Sequence, residues 1–281
     1  MTTGKKRLAA LLAILLVATW PAAATGQAAR RVLPPEYDLC RTALQGATTT
    51  GPYRVAQPQP DTICFAGNID RGAMDALVAA LRSVPEGSPL TLVAGSSGGS
   101  VTAALDASAE ILRRRVTIIT GPVCASSCAN YLFLPAARRI IGPNPIVAFH
   151  GGMSGGLIER LRRGVRQAQR APRQDPALTA RREENLGISM GDQVRERNML
   201  NAIGIDSRFF EFFERIPAGP GSQWRRDCPG RPNMDQIFVF SENALRSRGV
   251  AVELNLGPKS DVELQTLLKS MGQEGRMCFW R

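Results

Sequence analysis

From Thr62 to Gly152 the apolar positions follow two alternating periods. "TICFAGNI" reads as a strand running into a turn. "DRGAMDALVAALRSV" sets Met74, Leu77, Val78 and Leu81 three and four residues apart, one face of a helix. "PLTLVAG" is a short buried strand, "SVTAALDASAEILRRR" a second helix and "VTIITG" a third strand. "SCANYLFLPAA" opens a third helix and "IVAFHGG" closes the series as a fourth strand. Strands alternating with helices of this length predict stacked βαβ units: an α/β fold with a mostly parallel sheet and helices outside. Ligands of such sheets bind beyond the carboxyl ends of the strands. The chemically conspicuous residues fall at those ends: "GSSGGS" after one strand, "GPVCASS" after the next and His150 after the last.

The first residues predict a compartment. Lys5, Lys6 and Arg7 precede the apolar run "LAALLAILLVATW", then Pro21 and the small residues "AAATGQA". This is the pattern of a secretory signal peptide, with cleavage after Ala24 or, alternatively, Ala29. The run is shorter than the ~20 apolar residues that span a bilayer. The expectation is a periplasmic or secreted protein.

Export changes how the six cysteines read. Cys40, Cys64, Cys124, Cys128, Cys228 and Cys278 all follow the leader, and an even number in an oxidising compartment points to disulfides. A zinc site takes about four nitrogen or sulfur ligands. One histidine and no second close cysteine pair make that a poor match, so no metal is expected. C-x-x-x-C is also not the C-x-x-C of a dithiol redox site. If their segment is helical, Cys124 and Cys128 lie one turn apart, within reach of each other where the geometry allows.

The charge is basic, 35 Lys and Arg against 24 Asp and Glu, and concentrates in the arginine-rich stretch 158–185. That stretch reads as a solvated amphipathic segment with a Pro/Gln-rich break. Its other reading is a contact surface for a second subunit, anionic lipid or a polyanion, which leaves membrane association open. With little aromatic interleaving and no nucleic-acid motif, binding of nucleic acid is not expected.

Serine is a poor nucleophile until a base takes its proton, and His150 is the only imidazole in the chain. Lysine, the other common activator, occurs only at positions 5, 6, 259 and 269, far in sequence from the predicted core. An acyl-transfer transition state also needs backbone N–H groups aimed at its oxyanion. Gly98 and Gly99, at a strand-to-helix turn, let the backbone approach a substrate, and the Ser127 N–H at a helix start is a second donor. "SSGGS" matches neither the dinucleotide fingerprint nor the P-loop.

These segments together resemble the ClpP-type serine peptidases of the ClpP/crotonase superfamily, and most of all their exported relatives with a C-A-S-x-C nucleophile motif. The resemblance is close over 62–155 and looser over 190–253. "SSGGSVTAA" stands where the family has its S-P-G-G turn, with Ser97 in place of the proline, which implies Gly99 as an oxyanion donor. "CASSCANYL" stands on A-A-S-M-G-A-F-L, which implies Ser126 as nucleophile and the Ser127 N–H as second donor. "IVAFHGG" implies His150 as the base. "MDQIFVFSENALRSRGV" is similar to the segment that follows the family's aspartate, which implies Asp235 as the third member, with Glu242 and Asp206 as alternatives. Gly98, Val101 and Gly151 are the expected substrate-binding positions.

The implied enzyme is a serine endopeptidase without cofactor, acting on exported peptides or proteins. The other classes in view are a catalytically silent module on the same fold and a crotonase-like acyl-CoA enzyme. The expected organisation is a leader (1–24), an extension (25–61), a catalytic domain (62–253) and a second extension (254–281). Within the domain, the basic insertion 158–189 falls where the family has its subunit-packing handle, which implies a homo-oligomer. Disulfides such as Cys40–Cys64 or Cys228–Cys278 would tie the extensions down.

Overall fold

The computed structural model describes residues 33–49, 51–153, 155–171, 175–215, 237–273 and 277–281. The expected leader, Cys228 and Asp235 lie outside the described residues. The chain divides into Met1–Val32 and Leu33–Arg281, and the account below concerns the second unit.

The fold is a mixed α/β arrangement. Nine strands among the described residues form one sheet with helices against it. Strands β1 (Arg54–Gln59), β2 (Thr62–Ala66), β3 (Thr91–Ser96), β4 (Thr117–Ala125), β5 (Arg138–Ile141) and β6 (Ile146–Phe149) come first. They are followed by β7 (Phe238–Phe240), β8 (Leu254–Asn255) and β9 (Cys278–Trp280). The central pairings β2–β3, β3–β4, β4–β5 and β4–β6 are parallel, whereas β1–β2 and β6–β7 are antiparallel.

The central strands read as apolar runs because both faces are covered. Ile63, Phe65, Leu92, Ala94 and Ile118 face the main core, against α2 (Arg71–Ser83) and α3 (Val101–Arg114). Their alternates Cys64, Val93 and Ile119 face a smaller core that includes Cys40 of α1 (Pro35–Ala43). Met74, Leu77 and Leu81 are buried on α2, as their spacing predicts, while Val78 is partly buried. Asp70 and Ser100 start α2 and α3 by accepting the Ala73 and Ala103 N–H groups at 2.8 and 3.3 Å, each cap worth about 1 kcal/mol.

Two features aim the strands at one point. β4 changes partner along its length: Thr117–Thr120 pair with β5, and Val123–Ala125 pair with Ile146–Ala148 of β6. Beyond Ala125 the chain turns through Ser126 into a helical segment whose Ala129–Phe133 stretch is π-helical, with Leu134 N–H on Ala129 O. The expected third helix is thus a short π turn. The carboxyl ends of β3, β4 and β6 converge and carry Gly98, Ser126 and His150.

Residues 33–61 and 254–281, expected as extensions, supply α1, β1, β8, β9 and the helix Asp261–Ser270 to the sheet and its faces. Cys40–Cys64 bonds α1 to β2, and Cys124–Cys128 bonds the end of β4 to the turn after Ser126. Cys278 is also disulfide-bonded. Closing the 24-residue separation of Cys40 and Cys64 restricts the unfolded chain, which stabilises by about 3 kcal/mol. The double variant Cys40→Ala/Cys64→Ala is expected to lose that amount in denaturant titration. Unchanged stability would show that the bond only decorates a helix held by packing.

The basic stretch folds as a helical hairpin, α4 (Gly155–Arg170) and α5 (Pro176–Ala202), on either side of the expected break. No helix among the described residues is long and apolar enough to cross a membrane.

Candidate active site

Ser126 sits in left-handed backbone conformation, φ +58°. A non-glycine residue there is strained by about 1–2 kcal/mol, so the surroundings must hold it. Its N–H donates to Ala148 O at 2.9 Å, the last rung between β4 and β6, and its carbonyl accepts from Asn130 N–H at 2.8 Å. The Cys124–Cys128 disulfide closes over the same turn, with Cα atoms 5.1 Å apart. Strand, helix start and cross-link fix the backbone on both sides of one half-buried hydroxyl.

The Ser126 Oγ lies 2.5 Å from His150 Nε2, and His150 Nδ1 lies 2.6 Å from the Gly151 carbonyl oxygen. A carbonyl only accepts, so Nδ1 carries the proton in this bond. Nε2 then presents its lone pair to the serine hydroxyl, the tautomer a general base requires. Asn130 Nδ2 donates to the His150 carbonyl at 3.1 Å and holds the residue from behind. Asn130 is fully buried. Of the alternatives to Asp235, Asp206 is paired with Arg208 and Glu242 with Arg246.

The glycine turn lies against the nucleophile. Gly98 has φ +108°, and a Cβ there would stand 2.5 Å from the Ser126 Cβ and 2.9 Å from its Oγ. Gly99 has φ +147°, and a Cβ there would stand 2.1 Å from Ile69 O. Both positions therefore require glycine. Gly98 N–H donates to the buried Ser96 Oγ at 3.0 Å, which commits it to the turn. The Gly99 N–H meets no acceptor among the described residues. The Ser127 N–H lies at the start of the helical segment, where amides lack intrahelical acceptors. The buried Ser127 hydroxyl donates to Gly99 O at 2.8 Å and fixes the two expected oxyanion donors relative to each other. Val101 opens α3 directly behind the turn, and Gly151 packs by the Phe213 side chain.

Sequence reasoning missed the polar residues behind this site. Glu196 on α5 is 3% exposed and accepts from Tyr131 Oη at 2.6 Å and from Met153 N–H at 3.0 Å. Burial, countered by those two bonds and by Arg197, pushes its carboxyl up to about 7. One turn earlier, the buried Asp192 accepts from Thr102 Oγ1 at 2.5 Å. Only a pair of acids four apart, one turn of a helix, signals this in sequence. Among the described residues no three His, Cys, Asp or Glu side chains gather as metal ligands would.

No protein-family model matches the chain, and no curated protein is detectably similar to it.

Proposed function

We propose that the protein is an exported serine peptidase of ClpP-like fold that cleaves peptide bonds through an acyl-enzyme on Ser126. The observation that carries this reading is the 2.5 Å Ser126–His150 contact at the convergent strand ends, beside the Gly99 turn and the helical start at Ser127. In the proposed reaction His150 Nε2 takes the hydroxyl proton as Oγ attacks the scissile carbonyl. The resulting oxyanion is received by the Gly99 and Ser127 N–H groups. His150 then delivers the proton to the leaving amine, and water reverses the sequence to release the acyl group. The Gly151 carbonyl holds the imidazole tautomer, and Asp235 is proposed as a further orienting group. Peptide as the substrate class, and the ClpP-like fold itself, rest on the resemblance of "SSGGSVTAA", "CASSCANYL" and "IVAFHGG". Export rests on the leader pattern of 1–24.

The α4–α5 hairpin exposes Ile188, Met190 and Val194 among its arginines. These apolar residues support contact with a second copy of the chain through 158–189 and the turns that follow.

A fluorophosphonate probe tests the hydrolase reading, because it is captured only by an activated serine. The mature protein is expected to label at Ser126, and Ser126→Ala and His150→Ala are expected to abolish labelling. A folded wild type that stays unlabelled would overturn the reading in favour of a silent binding module.

A further inference from the structure

The three segments that carry the candidate site all lead back to α5. Asp192 and Glu196 lie one turn apart on that helix, and both are buried. Asp192 accepts from Thr102, in the first turn of α3, immediately after the Gly98–Gly99 turn. Glu196 accepts from Tyr131, on the π-helical turn that follows Ser126, and from the N–H of Met153, three residues beyond His150. Gln193, between them, donates to Met153 O at 2.8 Å. Arg195 pairs with both Asp192 and Asp106 of α3, and Asp106 pairs with Arg71 at the start of α2.

Gly152 shows how closely the carboxylate is fitted to the histidine loop. A Cβ at this residue would stand 2.1 Å from Glu196 Oε2 and 2.7 Å from its Cδ. The loop therefore passes directly over the carboxylate. An isolated buried acid is costly, and a simply structural position would take an apolar residue at less expense. Here one oxygen, Oε2, receives donors from two different segments of the site.

We propose that Glu196 is a positioning residue: by holding Tyr131 and Met153 on one carboxylate oxygen it sets the His150 imidazole against Ser126. Asp192 does the same for the glycine turn through Thr102. This inference rests on the Ser–His hydrolase reading for its catalytic consequence but not for its geometry. The groups around Glu196 are Tyr131 from the π turn, the Met153 N–H from the loop, and Asp192 and Arg197 from α5 itself. Tyr131, whose own ionisation is pushed well above its ordinary range by burial and by Glu196, stays a donor throughout the working pH range.

The single histidine makes a direct test available, since every imidazole NMR signal of the mature chain is that of His150. Three variants are compared with wild type: Glu196→Gln, which keeps an acceptor oxygen for both donors, Glu196→Ala, and Tyr131→Phe. Glu196→Ala is expected to slow fluorophosphonate capture about 10- to 100-fold, the scale of an ångström-level misplacement. Glu196→Gln is expected to restore most of the rate, and Tyr131→Phe to fall between them. Beyond the inflection that imidazole protonation itself gives in every variant, wild-type shifts are expected to carry a second one near 7, from the Glu196 carboxyl, that Glu196→Gln lacks.

Stability follows the same ionisation. The folded-state proton on Glu196 is fully favourable below the unfolded value of 4.5 and is lost as pH rises through about 7. The melting temperature of wild type relative to Glu196→Gln is therefore expected to fall from pH 5 to pH 8. Imidazole shifts identical in wild type and all three variants would overturn the proposal, whatever the labelling. If Glu196→Ala does not fold, Tyr131→Phe and Glu196→Gln decide by the same shifts. If wild type does not label but the imidazole signals respond, the hydrolase reading fails and the positioning claim stands.

Discussion

Ser126→Ala is expected to lower turnover of an activated acyl substrate by about 10⁴- to 10⁶-fold with little change in melting temperature. Ser126→Gly is expected to be equally inactive yet more stable by about 1 kcal/mol. The activity loss follows from removing the hydroxyl that stands 2.5 Å from His150 Nε2. The stability difference follows from φ +58° at this residue, a conformation that glycine adopts freely and alanine does not. A strained backbone at a functional residue is held by its surroundings: here by the Ala148 and Asn130 hydrogen bonds and the Cys124–Cys128 cross-link. Equilibrium denaturation of the two variants, with matched rate assays, checks both statements. Equal stability of the alanine and glycine variants would show that the turn is relaxed.

The second large effect is expected at the glycine turn. Gly98→Ala drives its methyl group into the Ser126 side chain, 2.5 Å from Cβ, and so displaces the nucleophile rather than removing it. Labelling is expected to fall about 10²- to 10³-fold, the cost of losing one well-placed contribution to transition-state stabilisation. Gly99→Ala collides instead with Ile69 O, which receives the Ser100 N–H at 2.7 Å. It is expected to cost about 2–4 kcal/mol of stability as well as a comparable loss of labelling. Gly164→Ala supplies the control, because its Cβ would meet nothing within 4 Å on helix α4. It is expected to leave labelling intact and stabilise by about 0.5–1 kcal/mol. Wild-type labelling by Gly98→Ala would show that the turn does not bear on the serine.

Much of the fold was legible because its signals are local. The helix face at Met74–Leu81 and the apolar runs at 91–95 and 117–121 follow from periodicity alone, whereas β4 continues past the expected end at Gly121 to Ala125, where it pairs with β6. The meeting of a serine with His150 could be anticipated because the chain holds one imidazole and the segments bearing both follow predicted strands, while the choice of Ser126 over Ser127 came from the family resemblance. The strand β5 was not legible. Its sequence, Arg-Arg-Ile-Ile, is half charged and four residues long. It is a strand because its backbone pairs between β4 and β8, and its inward-turned Arg139 is satisfied by donating to the Phe133 and Leu134 carbonyls at the end of the π turn. Burial pulls that guanidinium down to about 10, but it remains charged and paired with carbonyl dipoles.

Ser127 shows the same division within the site. Sequence assigns it a backbone N–H, whereas the structure also uses its hydroxyl to hold Gly99. Glu196 and Asp192 went unread because they lie beyond the arginine-rich stretch 158–185, on a helix whose polar pattern gives no sign of which side chains are buried. By itself the sequence determined the leader pattern, the βαβ rhythm, the cysteine count and a single possible imidazole base. Those are properties of composition and spacing, which act along the chain. The tertiary structure alone decided that two acids of α5 are buried under the site. It also decided which carbonyl orients His150 and which hydroxyl joins the oxyanion donors. These are contacts between segments distant in sequence, and only packing brings their donors and acceptors within hydrogen-bond reach.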